Sequence, residues 1–291
     1  MLVDAIRAEG FRLSKNRTTL FWSVLFVPLV TVAIGAITQL VIKANATALL
    51  ADKDAPPGLR EMTVTGGELD MAQALVQAAG SLANPLVLAF VLIGAATLYA
   101  GDYRWETWRL ISARNSRPNL LLGKLATVAG LALAAMLVML VAGVIENFIR
   151  AAIFDRTVVF GATGEAFGQF AAQFGLSWLR ILQFTMIGML AATVTRSLLA
   201  ALFVPLVLGV AQYFSPQMLM PMGIMPDAWL AVLINPGSAV ESISAAIAGG
   251  ERAAALPAGV ILKSWLSVAL WTLLPLAGAL AWFQKQDLSK E

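Results

Sequence analysis

Apolar residues run through this chain in long blocks separated by mostly short polar stretches. Six blocks, at about residues 20–42, 82–100, 120–145, 168–194, 198–214 and 261–283, are long enough for helices across a hydrocarbon core of about 30 Å, which takes about 20 residues. The fifth is the shortest. The first is longer than a signal-peptide core and is followed by no small-residue cleavage site, so it is expected to be a retained span. Before it, residues 1–19 place Leu2, Val3, Ile6, Gly10 and Leu13 on one helical face, with Arg7, Phe11 and Arg12 elsewhere. That pattern predicts an elbow helix lying along the membrane interface before the chain turns into the first span.

The connectors differ from one another. Residues 43–81 hold the breakers APPG and TGG and then the weakly amphipathic ELDMAQALVQAAG, so no separate domain is expected there. Residues 215–260 alternate Pro and Gly breakers with DAWLAVLI and SAVESISAAIAGG, apolar pieces too short to span. Irregular backbone at membrane depth needs protein or water to cover it, so one or two re-entrant or interfacial helices are expected before the last span. In the third block Ala126, Gly130 and Ala134 repeat every four residues, a spacing that lets another helix approach closely. Pro28, Pro205 and Pro275 are expected to bend their helices. The fold class is therefore an all-α polytopic membrane protein, a single domain over residues 1–291 with six transmembrane helices.

Composition agrees: 59% of residues are hydrophobic, 13% are charged, and mean hydropathy is +0.79. The chain has no cysteine and no histidine, which excludes disulfides, thiolate metal sites and Ser-His-Asp chemistry. No cofactor and no metal site is expected. The basic residues set the orientation, because loops rich in them stay in the cytoplasm. Twelve of them (Arg7, Arg12, Lys15, Arg17, Arg104, Arg109, Arg114, Arg117, Lys124, Arg196, Lys285 and Lys290) fall before the first span, in alternate connectors and in the tail, against six acids; the other connectors hold seven against ten or eleven acids. Both termini are thus expected in the cytoplasm, in a cell inner (plasma) membrane. The net charge of +3 is a topology signal and no nucleic-acid footprint.

The polar stretch GDYRWETWRLISARNSRPNLLLGKL, residues 101–125, stands apart. Two tryptophans beside arginines are the residue types enriched at interface hot spots, and they also suit a positive-inside loop with its rings at headgroup level. TWRLISARNSRPNLLLGKL resembles the connector between the second and third spans in permeases of the type-2 exporter superfamily of ATP-binding-cassette (ABC) transporters. In that family an acidic residue, a Thr, a small residue followed by Ser-Arg and a later Lys recur, here Asp102 or Glu106, Thr107, Ser116-Arg117 and Lys124; the family often has Gly where this chain has Glu106. AIRAEGFRLSKNRTTLFW is similar to the same family's elbow, and the six-span layout also matches. The resemblance implies that residues 101–119 form a cytoplasmic coupling helix contacting an ATPase through Asp102, Arg104, Trp105, Glu106, Thr107, Trp108, Arg109 and Arg117. It further implies two copies of a separate ABC ATPase subunit and a second permease chain, as a homodimer. PNLLLGKLAT is no P-loop, having Pro118 for the first Gly and Leu125 for Ser or Thr. An enzymatic role for this chain is accordingly not expected.

In the fourth block Gln169, Gln173, Arg180 and Gln183 fall within an arc of about 80° at 100° per residue, a polar stripe expected to face the bundle or water. With Glu146 they are the candidate substrate path. Arg180 has three possible settings: a hydrated cavity, a pair with Glu146, or the headgroup region. The expected function is an exporter subunit moving a lipid, peptide or other amphiphilic compound with ATP hydrolysed elsewhere. Met218, Met220, Met222 and Met225 keep open a permease of a copper-site maturation system, since thioethers select Cu(I), although such clusters also serve as adaptable apolar filler. An ion-coupled secondary transporter is disfavoured by the absence of internal repeats, and an intramembrane enzyme by the absence of a carboxylate pair within the spans.

Overall fold

The computed structural model describes residues 1–51, 63, 65–105, 107–108, 111 and 115–287. Of the expected site residues, Glu106 and Arg109 lie outside the described residues, as does Arg114. Six helices are long and apolar enough to cross a membrane: α2 (Arg17–Ala44), α5 (Pro85–Arg104), α6 (Arg117–Ile153), α7 (Gly164–Thr195), α8 (Leu198–Met222) and α12 (Val260–Lys285). Their bounds fall within a few residues of the expected blocks at most ends; α6 and α8 each run eight residues farther than expected. The chain is an all-α polytopic membrane protein. Around the spans sit α1 (Leu2–Lys15), α3 (Ala46–Ala51), α4 (Met71–Ser81), α9 (Trp229–Ile234), α10 (Pro236–Ala248) and α11 (Gly250–Ala254), with strands β1 (Glu68–Asp70) and β2 (Thr157–Val159).

Two Asn-Pro pairs start helices by the same means. Asn84 accepts the N–H groups of Leu86 and Val87 at 3.0 Å each, and Pro85 opens α5 with a ring that needs no N–H partner. Asn235 accepts those of Gly237 and Ser238 at 3.0 and 3.2 Å, with Pro236 opening α10. Between α7 and α8 the turn is made by Arg196 in the left-handed region, and Ser197 caps α8. In α2 the turn Phe21–Phe26 is π-helical, directly ahead of Pro28. Pro28 cannot donate to the carbonyl of Val24, and the widened turn absorbs that break.

Helices α5 and α7 form the centre, each two-thirds buried over its apolar stretch, whereas α2 and α8 are peripheral at 17%. Val91, Leu92, Ala95, Leu131, Met136, Ile181 and Met189 fill the core between α5, α6 and α7. Met1 and Asp287, the last described residue, lie at the same end of the bundle, where α1 packs on α6 and Gln286 bonds Tyr103 and Thr193. At the opposite end α6 and α7 project: 37 and 32 residues make about 55 and 48 Å of helix at 1.5 Å per residue, well beyond the hydrocarbon core. There β1 and β2 pair in parallel, Leu69 opposite Val158. Asp70 joins the link, accepting from Ala72 at 2.9 Å and Gly161 at 3.0 Å. The stretch ELDMAQALVQAAG thus forms β1 and α4, and α4 docks into the bundle through Met71, Val76 and Ala79.

The structure places two faces named from the sequence. The side of α1 that meets α6 is Ala5, Glu9 and Leu13; Ile6 and Gly10 flank it half-buried, and Leu2 and Val3 are exposed. Gly123 of α6 is the cause, since a Cβ there would lie 2.8 Å from that of Ala5. Nor does a helix of this chain pack on the repeat of Ala126, Gly130 and Ala134: among the described residues nothing lies within 4 Å of a Cβ built on Gly130. Close approach within the chain occurs instead at Gly123 and at Gly94, where Leu131 and Ser23 crowd in.

Candidate functional site

At the end that holds both termini, four charged side chains from three helices meet. Asp102, in the last turn of α5, and Lys124, in the second turn of α6, both have 0% side-chain exposure and pair at 2.5 Å. Lys124 also reaches Glu9 of α1 at 3.0 Å and the Leu98 carbonyl at 2.8 Å. Arg12 bridges both carboxylates, Asp102 at 3.0 Å and Glu9 at 3.2 Å. Two cations balance two anions, as burial requires. Burial works against the Arg12 charge, but Asp102 and then Glu9 outweigh it, so the guanidinium pKa is raised.

The connector is fastened over this cluster. Thr107 donates to Asp102 at 2.5 Å. Trp108 is fully buried, with Lys124 at 5.2 Å from its ring and its own ring packed on Phe283 at 4.6 Å and Tyr103 at 5.4 Å. Arg117 donates to the carbonyls of Phe283, Gln284 and Gln286, closing the open end of α12. Of the expected connector residues that are described, Asp102, Thr107, Trp108 and Arg117 therefore bind the connector to α1, α6 and α12, while Arg104 and Trp105 face outward, the guanidinium 5.3 Å from the ring. Trp108 offers no free surface to a partner. Aromatic and arginine residues serve interfaces and interiors alike, and composition cannot separate the two.

The polar stripe on α7 turns inward. Gln173 exchanges two hydrogen bonds with Ser244 of α10, at 2.8 and 2.9 Å. Gln183 donates to the Val268 carbonyl of α12 at 2.9 Å. Arg180 donates to Gln212 of α8 at 2.6 Å and to Gln183 at 3.2 Å, and lies on the Phe184 ring at 4.5 Å. Gln169, at the far end of α7, bonds Glu165 at 3.3 Å. Of the three settings open to Arg180, the pair with Glu146 is not formed. Glu146 lies on the side of α6 that meets α2, its carboxylate 2.6 Å from where a Cβ on Gly35 would stand. The headgroup setting is also excluded, because Arg180 is only 9% exposed and enclosed by α8 and α10.

The sequence profile of the ABC-2 family transporter protein matches residues 15–288, nearly the whole chain. The chain belongs to the ABC-2 transporter family. No curated protein and no solved structure matches it. As an ABC-2 permease it is the membrane component of a transport system that works with an ABC ATPase subunit.

Several residues that hold this ABC-2 permease together were not singled out from the sequence. Glu9 and Gln212 carry no local signal, since their partners are 115 and 32 residues away. Asn235 and Gly237 did carry one: the Asn-Pro-Gly string repeats the cap already present at Asn84-Pro85.

Proposed function

We propose that this chain is the permease subunit of an ATP-driven exporter for an amphiphile, a lipid, a peptide or another hydrophobic compound, and that residues 101–119 couple it to a separate ATPase. The observation that carries this reading is the joining of the connector to α1, α5, α6 and α12 through Asp102, Thr107, Trp108 and Arg117. Rigid, charge-locked attachment lets a displacement at an exposed surface move several helices together. That surface is Arg104 with Trp105, supported from beneath by the buried cluster.

The end with both termini then faces the cytoplasm, in agreement with twelve basic residues on that side against seven. Two ATPase subunits and a second copy of this chain complete the assembly in this reading, and the α7 stripe of Gln173, Arg180 and Gln183 lines the substrate path; Gln169 stands at its far end and Glu146 apart from it. The test is co-purification of the full-length chain with a co-expressed ABC ATPase. Arg104→Glu combined with Trp105→Ala should reduce recovery of the ATPase by about tenfold or more while the permease still inserts, as loss of hot-spot contacts does. Undiminished recovery would remove Arg104 and Trp105 from the docking surface.

A further inference from the structure

Arg180 carries a full charge deep in the bundle with amides as partners. Among the described residues no carboxylate comes within ion-pairing distance of it; its two hydrogen bonds go to the oxygens of Gln212 and Gln183. An amide dipole stabilises a guanidinium less than a carboxylate does, and a charge in low dielectric otherwise demands an opposite one. The surroundings add to the imbalance. A Cβ built on Gly237 would lie 3.3 Å from Nη2 of Arg180, so the guanidinium rests against the first turn of α10, a helix of 13 residues. The positive end of its dipole thus meets a cation. The N–H groups of Gly237 and Ser238 are occupied by Asn235, leaving the dipole as the helix's contribution.

A second observation is independent of the charge. Gln212 is 7% exposed, its oxygen holds Arg180, and its Nε2 is buried with no hydrogen-bond partner. A buried donor left unmet costs about 1–3 kcal/mol. The cation and the helix start meet, the Gln212 oxygen lies 3.8 Å from where a Cβ on Gly237 would stand, and the unmet donor belongs to that same amide; an anion satisfies each. Arg180 lies fifteen residues from Thr195, hence about 22 Å from that end of α7. This depth is in the half of the bilayer away from the termini. The carboxylate within electrostatic reach is Glu241, exposed and one turn along α10 from Gly237.

We propose that Arg180, the Gln212 amide and the start of α10 form a site for an anionic group of the cargo, a phosphate or a carboxylate. This rests on the reading of the chain as an amphiphile exporter and adds the sign of the headgroup. Glu241 acts on the same guanidinium from beyond ion-pairing distance, and a cargo anion competes with it there.

The test needs no ATPase, so its failure leaves the docking result standing and a failed docking leaves this result standing. Full-length chain in neutral maltoside detergent is titrated with short-chain phosphatidylglycerol, with phosphatidylcholine of the same chain length and with inorganic phosphate, following the unfolding temperature. Phosphatidylglycerol should stabilise the wild type more than phosphatidylcholine does. Arg180→Gln should weaken that response by about tenfold or more and Gln212→Leu by less, the scale of lost charge-assisted bonds. Glu241→Gln should tighten it, a change that a merely structural Arg180 would not produce, and this arm stands even where Arg180→Gln does not fold. An equal phosphatidylglycerol response in wild type and Arg180→Gln overturns the proposal. So does destabilisation by Glu241→Gln without tighter binding, which makes Glu241 the resident counter-ion. Saturation of the full shift by inorganic phosphate alone would assign the site to a free anion and overturn its link to the cargo.

Discussion

The Nζ of Lys124 lies 2.5 Å from Oδ2 of Asp102, and neither side chain is exposed. The pair ties the second span to the third at the level where the connector leaves the bundle, with Glu9 and Arg12 bringing in the elbow helix.

Lys124→Met should leave Asp102 and Glu9 sharing Arg12 as their cation, one buried negative charge uncompensated, and lower the unfolding free energy in detergent by about 3–5 kcal/mol. Adding Asp102→Asn leaves Glu9 and Arg12 as a balanced pair and should recover part of the loss, with a coupling of about 0.5–3 kcal/mol. Simple additivity of the two changes would mean that the contact contributes nothing as a pair.

The two tryptophans of the connector should separate. Trp108→Ala empties a fully buried site between Tyr103, Lys124 and Phe283 and should destabilise by about 3–5 kcal/mol. Trp105→Ala, at 68% exposure, should stay within about 0.5 kcal/mol. Equal effects on thermal unfolding would contradict the inward orientation of Trp108.

Gly123→Val should detach the elbow. A Cβ at this position meets the backbone of Ala5 at 3.2 Å and of Ile6 at 3.3 Å as well as the Ala5 side chain, and backbone cannot turn aside as a rotamer can. Limited proteolysis should cut within residues 1–15 faster than in the wild type, while Gly130→Val, facing open space, leaves the rate unchanged.

Acid should loosen the link opposite the termini. The Gly161 N–H, opposed by slight desolvation and helped by the Ala72 N–H, holds the Asp70 carboxyl below the usual carboxylate range. Its folded pKa is thus lower than its unfolded one, so its stabilising effect is full above the ordinary carboxylate pKa and disappears as pH falls through the lowered value. Amide exchange at Gly161 should rise as pH drops from about 6 to about 3, after correction for intrinsic exchange. Asp70→Asn should flatten that dependence; an unchanged profile would show that the link does not titrate through Asp70.

Reporter fusions at residues 60 and 291 should fall on opposite sides of the membrane. Finding both on one side would end the six-span arrangement.

The spans were readable from residue hydrophobicity because lipid imposes one requirement along a whole helix. DAWLAVLI and SAVESISAAIAGG also became short helices, since their Pro and Gly breakers act locally. Partnerships were harder. Nothing local marks Glu9 as a buried partner, because Lys124 lies 115 residues away in the chain. A pair of Arg180 with Glu146 was open from the sequence, which says nothing of the side of α6 that Glu146 occupies. Trp108 had the composition of a docking anchor, and an anchor within the chain satisfies the same chemistry.

The link between β1 and β2 joins α4 to the connection between α6 and α7, so the first four spans and their cap are stitched into one body. Helices α8 to α12 lean on that body partly through Gln173 with Ser244, Arg180 with Gln212 and Gln183 with Val268. Interlocked leucines resist separation because water gains nothing between them, whereas water can replace an amide's bond with another of similar worth. This seam is where the bundle can be wetted at least cost.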